Sequence, residues 1–305
     1  MKKNILLFIL LLSAHNGISQ ELYCRTFGNA KDIPVLFLHG GPGYNCASFE
    51  VSTAQVLANN GFFVLVYDRR GEGRSPDANA KFTFQETFDD INAIYKKYNL
   101  KKVNLIGHSF GGILATLYTE KYPENVSALQ LISAPVSLQE TFKTILRSSR
   151  KIYTEKNDLT NLNYIGMIEK MDPTSVEYFA YSFGHARQNG FYSPKNISAE
   201  AKTIYSVSAK EISFKYASQM TNEPPQGFLK NENYTSIDLT RTLQKLVQNK
   251  TKIYGVYGKD DGLYSPEQII QLELIIGKNN VTYLSDCSHN VFMDQQALFI
   301  KAMTK

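Results

Sequence analysis

Val103 to Gly112 reads VNLIGHSFGG, an apolar run that ends in a glycine-rich turn. An apolar helical pattern, Ile113 to Tyr122, follows and stops at Pro123. The centre of the stretch fits G-x-S-x-G, a serine held in a sharp strand-to-helix bend. A residue in such a bend takes positive φ. Its neighbours two before and two after must be nearly free of side chain, so that strand and helix can approach. Gly107, Gly111 and Gly112 meet that need. The bend lifts the Ser109 hydroxyl clear of the backbone, beside a helix N-terminus. The pattern alone is common by chance, and it gains meaning from the strand before it and the helix after it.

Working outward, short apolar β-rich runs alternate with helical patterns. Strands are expected at Pro34–Leu38, Phe62–Tyr67, Val103–Ile106, Leu129–Ile132, Ile253–Tyr257 and Val281–Leu284. Helices are expected at Thr87–Tyr98, Ile113–Tyr122, Leu239–Val247, Pro266–Ile276 and Val291–Ala302. This alternation describes an α/β fold: a mostly parallel sheet covered by helices on both faces. Ligands of such sheets sit beyond the carboxyl ends of the strands, and the polar and glycine-rich clusters all fall there. Between the fourth and fifth runs no buried strand is visible. That stretch is rich in aromatics and helical spacing, as in MIEKMDPTSVEYFAYSF. The domain reading is therefore a core of residues 20–135 and 235–305, with a helical cap inserted at 136–234.

A serine hydroxyl is a poor nucleophile unless a base takes its proton. His39 lies in the turn after the first strand, His108 inside the bend with its ring directed away from the hydroxyl, and His185 in the cap. His289, in CSHNVF after the last strand, is the base that a loop can bring over Ser109. The base needs a carboxylate to orient it. The GKDDG turn offers Asp260 and Asp261, which point in different directions; Asp261 is chosen on side-chain direction. Asp286, three residues from His289, reads as a turn residue. Negative charge on a tetrahedral intermediate needs backbone N–H donors, one from the residue after the nucleophile. That residue is Phe110. The second donor is assigned to Gly41, in the HGGPG turn after the first strand. Losing one such donor typically costs about 3 kcal/mol of transition-state stabilisation.

Composition sets the frame around this site. The 305 residues are 43% hydrophobic and 20% charged, which excludes general disorder. There are 33 basic and 28 acidic residues, and their scatter leaves no basic stripe for nucleic acid. Residues 1–19, with Lys2, Lys3 and the apolar run Ile5–Leu12, have the build of a signal peptide. The run is too short to span a bilayer, which takes about 20 residues. An exported protein is expected, periplasmic or secreted, with no stable membrane insertion after cleavage. Cys24, Cys46 and Cys287 are too few for a disulfide scaffold and read as buried hydrophobes. The DRRGEGRS turn, Asp68–Ser75, lacks the Walker ending and reads as a charged brace for the glycine turn. No metal spacing is present, and no cofactor is expected.

HGGPG, DRRGEGRS, GHSFGG, GKDD and CSHN occur in that order. With them the chain resembles the α/β-hydrolase superfamily, and within it the proline iminopeptidase branch. The resemblance implies a catalytic triad of Ser109, His289 and Asp261 with oxyanion donors at Gly41 and Phe110. Its G-x-x-D pattern also favours Asp261 over Asp260. Two departures stand out. The bend reads GHSFGG, where the iminopeptidases usually carry an element like G-G-S-W-G. Only about Glu21 to Phe27 is available for the usual N-terminal hairpin, so one sheet edge is expected to be abbreviated. The implied activity is a serine hydrolase working through an acyl-enzyme, which releases an N-terminal residue, such as proline, from small peptides. That requires carboxylates for the free amine, with Glu169, Asp172, Glu177, Glu200 and Glu223 available in the cap. The alternatives are a carboxylesterase of small acyl esters and, more distantly, a hydrolase-fold protein that only binds a ligand.

Overall fold

The computed structural model describes residues 21–304. The expected signal peptide lies outside the described residues. Seven strands form one sheet: β1 (Cys24–Phe27), β2 (Ile33–Leu38), β3 (Phe62–Tyr67), β4 (Val103–His108), β5 (Val126–Ile132), β6 (Ile253–Gly258) and β7 (Val281–Leu284). Their order is β1-β3-β2-β4-β5-β6-β7. Every pairing is parallel except β1 with β3. The short N-terminal segment therefore closes that edge with a single four-residue strand.

The strands read as continuous apolar runs because both sheet faces are buried. Alternate residues point to opposite faces. Leu36, Leu38, Leu65 and Leu105 join one apolar cluster. Val35, Phe37, Val64 and Ile106 join the other. Strand β2 sits between β3 and β4, so the loops after β2 and β4 open side by side. That adjacency places the glycine turn against the serine bend.

Some boundaries differ from expectation, for local reasons. The helix after the bend starts at Phe110, three residues early, because Ser109 itself is its N-cap residue. The last helix is broken into Val291–Asp294 and Gln296–Met303. At the break, the Asp294 carboxylate accepts the Ser288 N–H at 2.8 Å. The Gln295 amide donates to the carbonyls of Ser285 and Asp286. Both contacts bind the helix start to the loop that carries His289.

Between β5 and the helix Thr240–Gln248 that precedes β6 lie the helices Leu138–Glu155, Leu159–Ile168, Val176–Gln188, Ala199–Ser208 and Glu223–Glu232. Asp158, Ser175 and Ser198 each accept a backbone N–H from the first turn that follows, which satisfies one of the orphan donors of a helix start. The chain leaves the core and returns to it at one place. Ser137 and Asp238 form an antiparallel bridge, and the Leu239 N–H donates to the Val136 carbonyl at 2.7 Å. Among the described residues no helix is long and apolar enough to cross a membrane.

The helix from Phe110 lies very close to the strands. A Cβ at Gly111 would lie 2.1 Å from the Leu38 carbonyl oxygen, and one at Gly112 2.2 Å from the Ala134 Cβ. Gly112→Ala is expected to destabilise the protein by about 1–3 kcal/mol, read as a lower urea midpoint at unchanged slope. An unchanged midpoint would show that the helix can shift away at no cost.

Candidate active site

Ser109 sits at φ 53° and ψ −125° between β4 and its helix. This is a strained conformation for a residue with a side chain. Its N–H donates to the Ile132 carbonyl at 2.9 Å, so the end of β5 holds the bend from behind. The glycine turn packs directly against it, since a Cβ at Gly40 would lie 3.1 Å from the Ser109 Cβ.

The loops after β6 and β7 bring the expected acid and base together. His289 Nδ1 lies 2.8 Å from Asp261 Oδ2, and the Asp261 side chain is fully buried. The other carboxylate oxygen of Asp261 accepts the Leu263 N–H at 3.1 Å. With Nδ1–H donating to Asp261, Nε2 is the nitrogen left to accept a proton. Asp260 turns away, and its carboxylate accepts the Lys195 N–H at 3.1 Å. The geometry thus separates the two neighbours: Asp261 meets His289 and Asp260 does not. Asp286 takes φ 50°, as a turn residue, and its carboxylate accepts from Asn196.

His108 has a role that the sequence reading missed. Burial, and then the neighbouring His289, lower its pKa to about 3. A neutral imidazole there donates from Nε2 to the His289 carbonyl at 3.1 Å, and the two rings lie 4.9 Å apart. The residue before Ser109 therefore tethers the loop that carries His289. Among the described residues the Ser109 hydroxyl makes no hydrogen bond. In hydrolytic sites that contact often tightens only around substrate. His39 is also held neutral, since burial and then Arg69 keep it well below the usual range. His185 is buried in the insertion against the Tyr153 hydroxyl.

Ser109, Gly41 and Phe110 line one cavity of about 20 Å³. The Phe110 N–H is the first of its helix, one of the donors that helix geometry leaves without a partner. Gly41 takes φ +121°, a region that favours glycine. Leu138, Thr141, Phe179, Phe183 and Tyr234 close the cavity from the insertion. Among the other aromatics of the insertion, Tyr192 stands edge-on to His289 at 5.2 Å. Tyr178 and Phe191 are buried in the packing, while Tyr181 is 52% exposed. Glu169, Asp172, Glu177, Glu200 and Glu223 are all exposed, and none lines the cavity.

Two backbone hydrogen bonds fasten the insertion to the site loops. The Thr221 N–H donates to the Gly43 carbonyl at 3.0 Å and the Gly262 N–H to the Phe191 carbonyl at 3.1 Å. A larger cavity, about 460 Å³, opens between the neck of the insertion and the helix Pro266–Ile276; Ser109, Asp261 and His289 do not line it. All three cysteines are free, Cys46 and Cys287 buried and Cys24 half-buried.

A strained serine where β4 turns into its helix, served by loops after β6 and β7, is the construction of the alpha/beta hydrolase fold. The chain belongs to that family, whose model matches residues 33–296. It is 39% identical over 123 residues to a proline iminopeptidase of Lactobacillus delbrueckii subsp. bulgaricus, covering 38% of this chain and 41% of that one. A putative proline iminopeptidase of Mycoplasma genitalium is 27% identical over 192 residues, 61% of this chain and 59% of the other. The chain therefore matches these curated relatives over about two fifths to three fifths of their length. Among solved structures, a proline iminopeptidase-related protein of Thermus thermophilus shares the fold with a TM-score of 0.68 at 20% identity, covering 92% and 91% of the two chains. A structure from Nitrososphaera gargenis, described with its carboxylesterases, gives 0.59 at 18% identity, covering 93% of each.

The pairing of acid and base yields a direct comparison. Asp261→Asn is expected to lower kcat by about 10³–10⁴, and Asp260→Asn by less than about tenfold, with ester hydrolysis as the assay. Equal losses in the two variants would remove Asp261 from its assigned place.

Proposed function

We propose that the protein is a serine hydrolase that cleaves esters of small apolar acids through an acyl-enzyme. Ser109 attacks the carbonyl carbon as His289 Nε2 takes its proton. Asp261 steadies the resulting imidazolium. The Gly41 and Phe110 N–H groups hold the oxyanion. The alcohol leaves with the proton from His289. Water then attacks the acyl-Ser109, with His289 again as base, and the free acid departs with Ser109 restored. The cycle needs no cofactor.

The observation that carries this substrate class is the lining of the Ser109 cavity. It is apolar and hydroxyl-bearing, with no carboxylate from the insertion. A cationic amino terminus desolvated there would lack an anionic partner, which is costly. A neutral acyl group has no such need. A cavity of about 20 Å³ holds roughly one water. Substrate entry therefore requires the residues that line the cavity to move apart.

A second reading, release of an N-terminal proline, is favoured by the names of the relatives and by the HGGPG turn. Export through residues 1–19 also belongs to the proposal, and an exported mature chain is expected to begin at Gln20 by intact mass.

Short p-nitrophenyl esters and a prolyl arylamide, assayed side by side, separate the readings. Ester turnover with no arylamide turnover is expected. Arylamide cleavage at an equal or higher kcat/KM would move the assignment to the peptidase. Absence of both activities, with no fluorophosphonate labelling of Ser109, would overturn the hydrolase altogether and leave a ligand-binding protein.

A further inference from the structure

The charged turn Asp68–Ser75 takes no part in the steps above, yet one of its side chains lies deeper than any other cation near the site. Arg69 is 2% exposed. Its Nη2 donates to the Gly40 carbonyl at 2.7 Å, and its Nη1 donates to the His39 carbonyl. The Gly40 carbonyl accepts a second bond, from His39 Nδ1 at 2.8 Å. The tautomer is consistent, because His39 Nε2 accepts the Arg69 backbone N–H at 3.1 Å. The guanidinium also lies 5.4 Å from the centre of the Phe110 ring.

The Gly40 carbonyl and the Gly41 N–H belong to one peptide unit. In a trans peptide these two groups point in opposite directions. Two donors that draw the carbonyl to one side therefore aim the Gly41 N–H to the other. That N–H has no acceptor among the described residues, and Gly41 lines the Ser109 cavity. We propose that Arg69 is the positioning residue of the oxyanion site. It fixes the orientation of the Gly40–Gly41 peptide and places positive charge behind it, so that the donor is already aligned when the oxyanion forms. Preorganised dipoles of this kind act without reorganising at the moment of reaction.

Glu72 completes the device. Its carboxylate is paired with Arg69 through two bonds, at 3.0 and 2.8 Å, and accepts the Gly43 N–H at 2.9 Å. It holds the far end of the same glycine turn while it neutralises a charge that would be costly to bury alone. A lysine cannot stand in. One ammonium on a flexible stem lacks the planar fork that spans two carbonyls and a carboxylate.

The inference rests on the Ser109 reading, and the test keeps the two apart. Arg69→Lys and Arg69→Met are compared with the wild type for ester kcat, KM, melting temperature and affinity for a boronic acid that forms a tetrahedral adduct with the serine. For variants that remain folded, kcat is expected to fall by about ten- to a hundredfold. KM should stay within about twofold, and boronic acid affinity should weaken in parallel with kcat. If Arg69→Met does not fold, Arg69→Lys carries the comparison. An unchanged kcat, or a loss confined to KM or to the folded fraction, overturns the positioning role while Ser109 stands. A wild type that neither turns over ester nor binds the boronic acid shows that the Ser109 reading itself has failed, and the inference falls with it.

Discussion

The closeness of one helix to the sheet beneath it is the constraint on which the rest depends. The helix from Phe110 touches the backbone at the end of β2, where only hydrogen atoms fit between Gly111 and the Leu38 carbonyl. That approach forces the preceding residue into positive φ and turns its side chain outward. It also brings the glycine turn after β2 into contact with the bend. The serine bend and the glycine turn beside it thus arise from a single packing requirement. Loosening it would move both at once, and a misplacement of about 1 Å can cost about a hundredfold in rate.

Much of this architecture was legible because parallel strands buried on both faces leave unmixed apolar runs, and each run ends where polar residues gather. PVLFL, FFVLVY and VNLI could be read directly, and the GHSFGG that follows VNLI marks its own backbone geometry. The edge strand Cys24–Phe27 was harder to read, because it is partly exposed and carries Arg25 and Thr26 among its four residues. The break at Gln295 was invisible for another reason. It depends on Asp294 and Gln295 binding the loop at 285–288, contacts that hydrophobic periodicity does not encode.

In the site, residue types announced the chemistry, but directions had to come from three dimensions. Asp260 and Asp261 are neighbours of one kind; the sequence favoured Asp261, and the fold adds that Asp261 meets His289 while Asp260 meets the insertion. The acidic residues of the insertion illustrate the converse. Their number invited a role in holding an amine, yet all five face solvent. The brace expected from DRRGEGRS was readable as a charged turn. Its detail was not, since the bonds run from Arg69 to backbone carbonyls some thirty positions away.

The neck of the insertion has a consequence for how such a protein diversifies. A segment of roughly a hundred residues enters and leaves through the adjoining pair Ser137 and Asp238, while Ser109, Asp261, His289, Gly41 and Phe110 all belong to flanking sequence. Recombination at that junction can exchange the whole upper chamber as a cassette. The sheet, the serine bend and the loops below it would then be inherited intact, and a lineage could change what sits over Ser109 without altering the frame that holds it.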